Sequence, residues 1–174
     1  MIIDEQILRA KCRHFSENMD FDKLVKPIIE EVEQLDMKPL LGQRLFIALQ
    51  NVDKTGDPER EPLLRLLVGG QYEGCGGTAI FEGVYKAEAY YTYARLLRNP
   101  NGFLSATGFR QSVDTFSNYA EYKERESTII AVKQAADSYM ADCMDYIRSV
   151  PELAKLAGGG SHRRHGGITH VIGE

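Results

Sequence analysis

Apolar positions recur every three to four residues along most of the chain, and runs of Gly and Pro divide that pattern into segments, so the sequence predicts a succession of helices. A short helix is expected over Asp4 to Cys12, with Asp4 as N-cap and Ile7 and Leu8 turned inward. The next begins at Asp20 or Asp22 and carries Leu24, Val25, Ile28, Ile29, Val32 and Leu35 as its apolar stripe. Pro27 interrupts an interior hydrogen bond there, so this helix either kinks or starts with Pro27 in its first turn. Lys38-Pro39 opens a further stretch in which Leu41, Leu45 and Leu49 stack at i, i+4, i+8. Asp53 to Arg60 reads as a polar, turn-rich loop before a short helix over Glu61 to Val68.

Glycine then dominates from Gly69 to Gly77, and this run reads as an interhelical connector ending at Thr78, an expected N-cap. Two long helices follow. The first, Ala79 to Arg98, places Ile80, Val84, Ala87, Tyr91, Ala94 and Leu97 at helical spacing and is expected to be central. The second covers about Asn118 to Ser149, with Ile129, Val132, Ala136, Tyr139, Cys143 and Ile147 as one stripe, after an irregular stretch from Phe103 to Thr115. The expected fold class is therefore all-α: an irregular bundle of about five or six helices with two long central ones. Residues 1–157 form this domain. Residues 158–174 form a Gly-rich arm expected to be flexible, which ends in the short β-prone segment Ile168 to Ile172. Such a strand has no stability alone and must add to an edge in its own or a neighbouring subunit.

Composition narrows the partners. The chain has 174 residues, 43% of them hydrophobic, with 21 Lys and Arg against 25 Asp and Glu. A net charge of −4 offers no overall basic field for duplex binding. No run approaches a membrane span, and the opening Met1-Ile2-Ile3-Asp4-Glu5 lacks the basic start of a signal peptide. Cys12, Cys75 and Cys143 are odd in number and widely spaced, which fits a reducing compartment rather than a disulfide framework. A cytoplasmic site of synthesis is expected.

Chemical motifs give little. The Gly69–Gly77 run lacks the Lys-Ser/Thr pair that would hold a phosphate and magnesium, and no strand precedes it in the predicted pattern. His162, His165 and His170 fall in or beyond the arm, and Cys12 with His14 supplies too few ligands for a metal. No nucleophile-elbow motif occurs, and Cys75, though placed before a predicted helix, has no evident base. No cofactor, metal or catalytic residue is assigned. The acids from Glu17 to Asp36 outnumber Lys23 and Lys26 seven to two and alternate with apolar positions, so they read chiefly as a solvated face, with docking of a basic partner as the alternative. The tyrosines Tyr85, Tyr90, Tyr91 and Tyr93 suit either the core or a subunit contact.

The helix leading into Pro39-Leu40-Leu41-Gly42, the run Ala87-Glu88-Ala89-Tyr90-Tyr91-Thr92-Tyr93-Ala94-Arg95-Leu96-Leu97, the irregular segment with Thr107-Gly108 and the long closing helix together resemble the head–tail connector (neck, or head-completion) proteins of tailed bacteriophages and prophages. The likeness covers roughly Phe21 to Val150 and rests on size and hydrophobic pattern. It implies a mostly helical structural subunit, assembled in the bacterial cytoplasm into a homo-oligomeric ring of the virion neck. That ring lies below the portal, docks the next neck or tail protein, and touches DNA only as it passes through the channel. It implies no catalysis, small-molecule substrate or membrane. The arm departs from the pattern. Expected oligomer or partner contacts are Tyr85, Tyr90, Tyr93, Arg163, Arg164, Ile168, Val171 and Ile172. The alternatives are a helical DNA-binding or regulatory adaptor, which would need a basic recognition helix, and a small metal- or nucleotide-dependent enzyme.

Overall fold

The computed structural model describes residues 1–12, 20–74, 76–98, 102–105, 108–111 and 122–158, with side chains described outside 102–125. His14, Cys75 and the arm beyond Gly158 lie outside the described residues, and with them Arg163, Arg164, Ile168, Val171 and Ile172.

The chain enters through an extended segment whose Ile2 and Ile3 are buried, and then forms α1 (Glu5–Lys11). Asp4 caps α1 as expected, accepting from the Ile7 N–H at 2.9 Å. From Phe21 to Leu41 the backbone is helical almost throughout. A π-turn at Phe21–Val25 leads into α2 (Lys26–Val32), and a second at Glu33–Met37 leads into α3 (Lys38–Leu41). Each π-turn immediately precedes a Lys-Pro pair, Lys26-Pro27 and Lys38-Pro39. A proline ring clashes with the carbonyl four residues back, and the wider i→i+5 turn relieves that clash while keeping the chain helical. The prolines thus neither end nor sharply break the run. The π-turns also shift the stripe: Val25, Ile29, Val32 and Met37 are buried, whereas Leu24 and Leu35, expected inside, are 54% and 58% exposed.

Gly42 separates α3 from α4 (Gln43–Asn51), and Leu41, Leu45 and Leu49 are completely buried, as their spacing requires. Burying one such leucine contributes about 1.5–3 kcal/mol. The polar loop that follows is organised by aspartate turns. Asp53 accepts from the Thr55 N–H at 2.9 Å and its hydroxyl at 2.7 Å, which holds its carboxyl below the usual range. Next comes α5 (Pro62–Val68), with Pro62 in its first turn.

The helical expectation holds for most of the chain, but the glycine run departs from it. Instead of a connector, β1 (Gly70–Gly74) and β2 (Gly77–Phe81) pair antiparallel as a hairpin. Thr78 is a strand residue whose hydroxyl donates to its cross-strand neighbour Glu73 at 2.8 Å, not a helix cap. Ile80, expected on the central helix, stands 68% exposed on β2. Two glycines make this possible: Gly69 (φ +92°) and Gly83 (φ +81°) sit where the chain enters and leaves the hairpin, and a Cβ on Gly83 would lie 2.4 Å from the Gly69 nitrogen and the Leu67 carbonyl. Only residues without side chains let the two backbones cross this closely.

The central helix α6 (Val84–Arg98) therefore starts five residues later than Ala79. Part of the irregular stretch is a second hairpin, β3 (Gly102–Ser105) with β4 (Gly108–Gln111). The long helix α7 (Tyr122–Ser149) packs along α6, and α8 (Pro151–Leu156) closes the core against α4 and α7. The molecule is mostly helical, with small antiparallel hairpins in place of the expected connectors. Among the described residues no helix is long and apolar enough to cross a membrane.

Candidate functional site

The most unusual chemistry lies where α6 faces the N-terminal segment. Helix α6 is buried on nearly every side, and Glu88 occupies its inner stripe, one turn beyond Val84 and one before Tyr91. Its side chain is 0% exposed, and among the described residues neither carboxylate oxygen has a hydrogen-bond partner; nor does the hydroxyl of Thr92, one turn further on. A carboxylate in such surroundings is costly, so burial first, and then the nearby Glu33, push the Glu88 carboxyl well above its ordinary value. The positive charges of Lys54 and the Met1 amine and the Ile3 N–H oppose this only in part. The protonated form of Glu88 is the one this site favours.

Glu33 is handled differently. Although it belongs to the acidic run expected to face solvent, it is only 3% exposed. It accepts from the Ile2 N–H and from Gln50 Nε2 at 3.1 Å, with the Met1 amine 4.0 Å away. Lys54 Nζ donates to the Ile2 carbonyl at 2.8 Å and lies 5.8 Å from the Tyr85 ring centre. Two side chains from distant parts of the chain thereby hold the extended entry segment on both its donor and its acceptor sides.

A second polar group ties α6 to the π-turned run. Arg95 donates through Nε to Asp36 at 2.8 Å and through Nη1 to Glu31 at 3.0 Å. The Asp36 hydrogen bond is the main reason the guanidinium is held above its ordinary value. One turn back, the Tyr91 hydroxyl donates to Asp137 of α7 at 2.6 Å, and burial together with that bond raises the phenol. A recess of about 80 Å³ lies between these pairs, lined also by Ile129 and Lys133.

The candidate tyrosines divide. Tyr85 and Tyr90 are buried, and Tyr90 meets the Tyr139 ring edge-on at 5.2 Å with Lys86 Nζ 5.2 Å from its own ring centre. Tyr93 is half-buried and lines an open groove of about 550 Å³ with Thr128, Val132 and Ala135. Another open groove, about 480 Å³, runs between the β1–β2 hairpin and the end of α7, bounded by Tyr72, Gly77, Ala79, Asp145, Arg148 and Ser149. Above it Phe81 stacks on Tyr146 at 4.5 Å and Tyr72 meets both rings edge-on. Cys143 is buried and its thiol pushed up to about 12, so it is no nucleophile at neutral pH. Among the described residues no three His, Cys, Asp or Glu side chains are grouped as metal ligands would be.

Sequence reasoning missed Glu88, Glu33, Lys54 and Arg95. For Glu88 a signal existed: an acidic residue in phase with Val84 and Tyr91 on a helix otherwise apolar on that side. For Lys54 there was none, because its partner is a backbone carbonyl 52 residues away.

The fold and its sealed polar centre define a mostly helical domain with a hairpin inserted before its central helix. The chain belongs to a protein family of unknown function (DUF6712), whose model matches residues 37–154. That span includes the hairpin, α6 and α7, and begins after Glu33 and the entry segment it holds. No curated protein and no solved structure matches the chain.

Proposed function

We propose that the protein is a structural subunit of a phage or prophage head–tail connector, forming a homo-oligomeric ring that meets the portal on one side and the next neck or tail protein on the other. The observation that carries this reading is the helical run from Phe21 to Leu41. Its inner stripe of Val25, Ile29, Val32 and Met37 is buried in the subunit, yet Leu24, Leu35 and Leu40 are all more than two-fifths exposed on the same run. A helix apolar on both sides buries only one of them in its own domain, and the other is available to a neighbour. The resemblance in Pro39-Leu40-Leu41-Gly42 and in the tyrosine-rich α6 supports the same reading, and Tyr93 and the arm are its further contact candidates. In a ring, one surface of each copy meets a different surface of the next, so an apolar run on one flank needs no copy of itself opposite.

Sedimentation of the full chain over a wide concentration range tests this reading. Closed oligomers are expected for the natural sequence, and Leu35→Lys should shift them towards monomer without changing the helical circular dichroism. A wild-type chain that remains monomeric at every concentration, alone and mixed with a portal protein from the same genome, refutes the proposal.

A further inference from the structure

Helix α6 carries two polar side chains, Glu88 and Thr92, four residues apart and both 0% exposed. Among the described residues, three of their oxygens, both of the Glu88 carboxyl and that of the Thr92 hydroxyl, bond to no protein group. Buried polar atoms in folded proteins nearly always have a partner, in protein or in ordered water, because an apolar interior offers nothing in exchange for a lost hydrogen bond. A threonine hydroxyl in mid-helix normally bonds to the carbonyl one turn back or turns to solvent, and Thr92 does neither. We infer that one internal water molecule bridges the Glu88 carboxyl and the Thr92 hydroxyl, making this stretch of α6 a buried hydration site.

Helix geometry sets the gap. Side chains four apart share a face, with Cβ atoms about 5–6 Å apart. The two groups do not bond to each other, so their oxygens stand farther apart than one hydrogen bond. A water with a hydrogen bond of about 2.8 Å on each side spans such a gap. Its chemistry matches too, because a water both donates and accepts and so serves a hydroxyl and a carboxyl in either protonation state. The Ile3 N–H, close enough to act on the Glu88 carboxyl, offers a further donor from the entry segment. A metal ion fits less well: it needs about six oxygen ligands, and Lys54 already brings positive charge to this carboxyl.

Burial of both side chains cuts this water off from bulk, so it exchanges slowly and contributes to the oxygen magnetic relaxation dispersion of the full-length chain in isotope-labelled water. A protein of 174 residues holds about six internal waters at the usual frequency, so the loss of one is measurable. Thr92→Val and Glu88→Met should each remove one slowly exchanging water, and the double variant should lose that same one. Glu88→Gln, which keeps polar atoms in place, should retain it. An unchanged dispersion in both single variants overturns the inference. So does the loss of two waters in the double variant, which would mean two separate sites. A crystal structure of the natural sequence decides the matter whether or not the variants fold: an ordered water within about 3 Å of both side chains is expected. Its absence, a direct bond between Glu88 and Thr92, or a cation in that position refutes the bridge.

Discussion

Helices α6 and α7 lie side by side, yet they solve burial in opposite ways. Helix α7 buries one stripe, with Ala136, Met140, Cys143, Tyr146 and Ile147 inward and the residues between them half-buried or in water. In α6, ten of fifteen residues are buried, including Glu88 and Thr92. A helix sealed on nearly all sides has no wet face to which a polar side chain can be consigned, so its polar groups must be paired or neutral. Arg95 and Tyr91 follow the first course, and burial pushes the Glu88 carboxyl towards the second. The difference teaches that the share of apolar residues in a helix says less about its position than whether its charged residues have anywhere to go.

The comparison can be broken most forcefully from the α7 side. Tyr146→Ala removes the ring shared by Tyr72 and Phe81 and should cost about 3–5 kcal/mol in urea unfolding; a loss below 1 kcal/mol, on the order of a surface change, contradicts the packing described. Steric sensitivity comes next. Ala89→Leu forces new atoms into the sealed side of α6 and should destabilise by about 1–3 kcal/mol, whereas Ala141→Leu on the exposed side of α7 should stay within about 0.5 kcal/mol of the natural protein.

The buried acid offers a test of sign. Glu88 keeps its proton in the fold at pH values where the unfolded chain has lost it, so this group weakens the fold progressively as pH rises above the ordinary glutamate range, and the loss levels off above its raised folded value. Over that window the slope is about 1.4 kcal/mol per pH unit. Glu88→Gln removes the dependence. It should be more stable than the natural protein near neutral pH, by on the order of 1 kcal/mol, and gain nothing near pH 4. Thermal melts across pH decide this, and a variant less stable at neutral pH would mean that the carboxylate is charged and held. The smallest effect is expected at the partly exposed Arg95. Arg95→Gln should cost about 0.5–1 kcal/mol at low salt and less at high salt, because Glu31 is half in water and its attraction is screened.

Local signals wrote much of this architecture into the sequence. The Leu41, Leu45 and Leu49 spacing, the Asp4 and Asp20 caps, the aspartate turns after Asn51 and the α7 stripe rest on interactions within a few residues, and the chain carries them wherever it folds. The candidate site was far less legible. Leu24 and Leu35 read as core on an unbroken 3.6-residue period across Pro27 and Pro39, whereas the π-turns reset the phase. The glycine run reads as a connector because Tyr72 and Phe81 become strand residues only once Tyr146, more than sixty residues later, gives them a surface.

By itself, then, the sequence determined that the protein is built from helices, where most of them begin and end, and which leucines lie inside, since backbone hydrogen bonds and helical periodicity are settled between near neighbours. Tertiary structure alone decided that the glycines form a hairpin, that Glu33 and Lys54 hold the entry segment, and that burial pushes the Glu88 carboxyl upward. Desolvation and long-range pairing depend on which distant groups come to surround a residue, and its neighbours in the chain do not encode that.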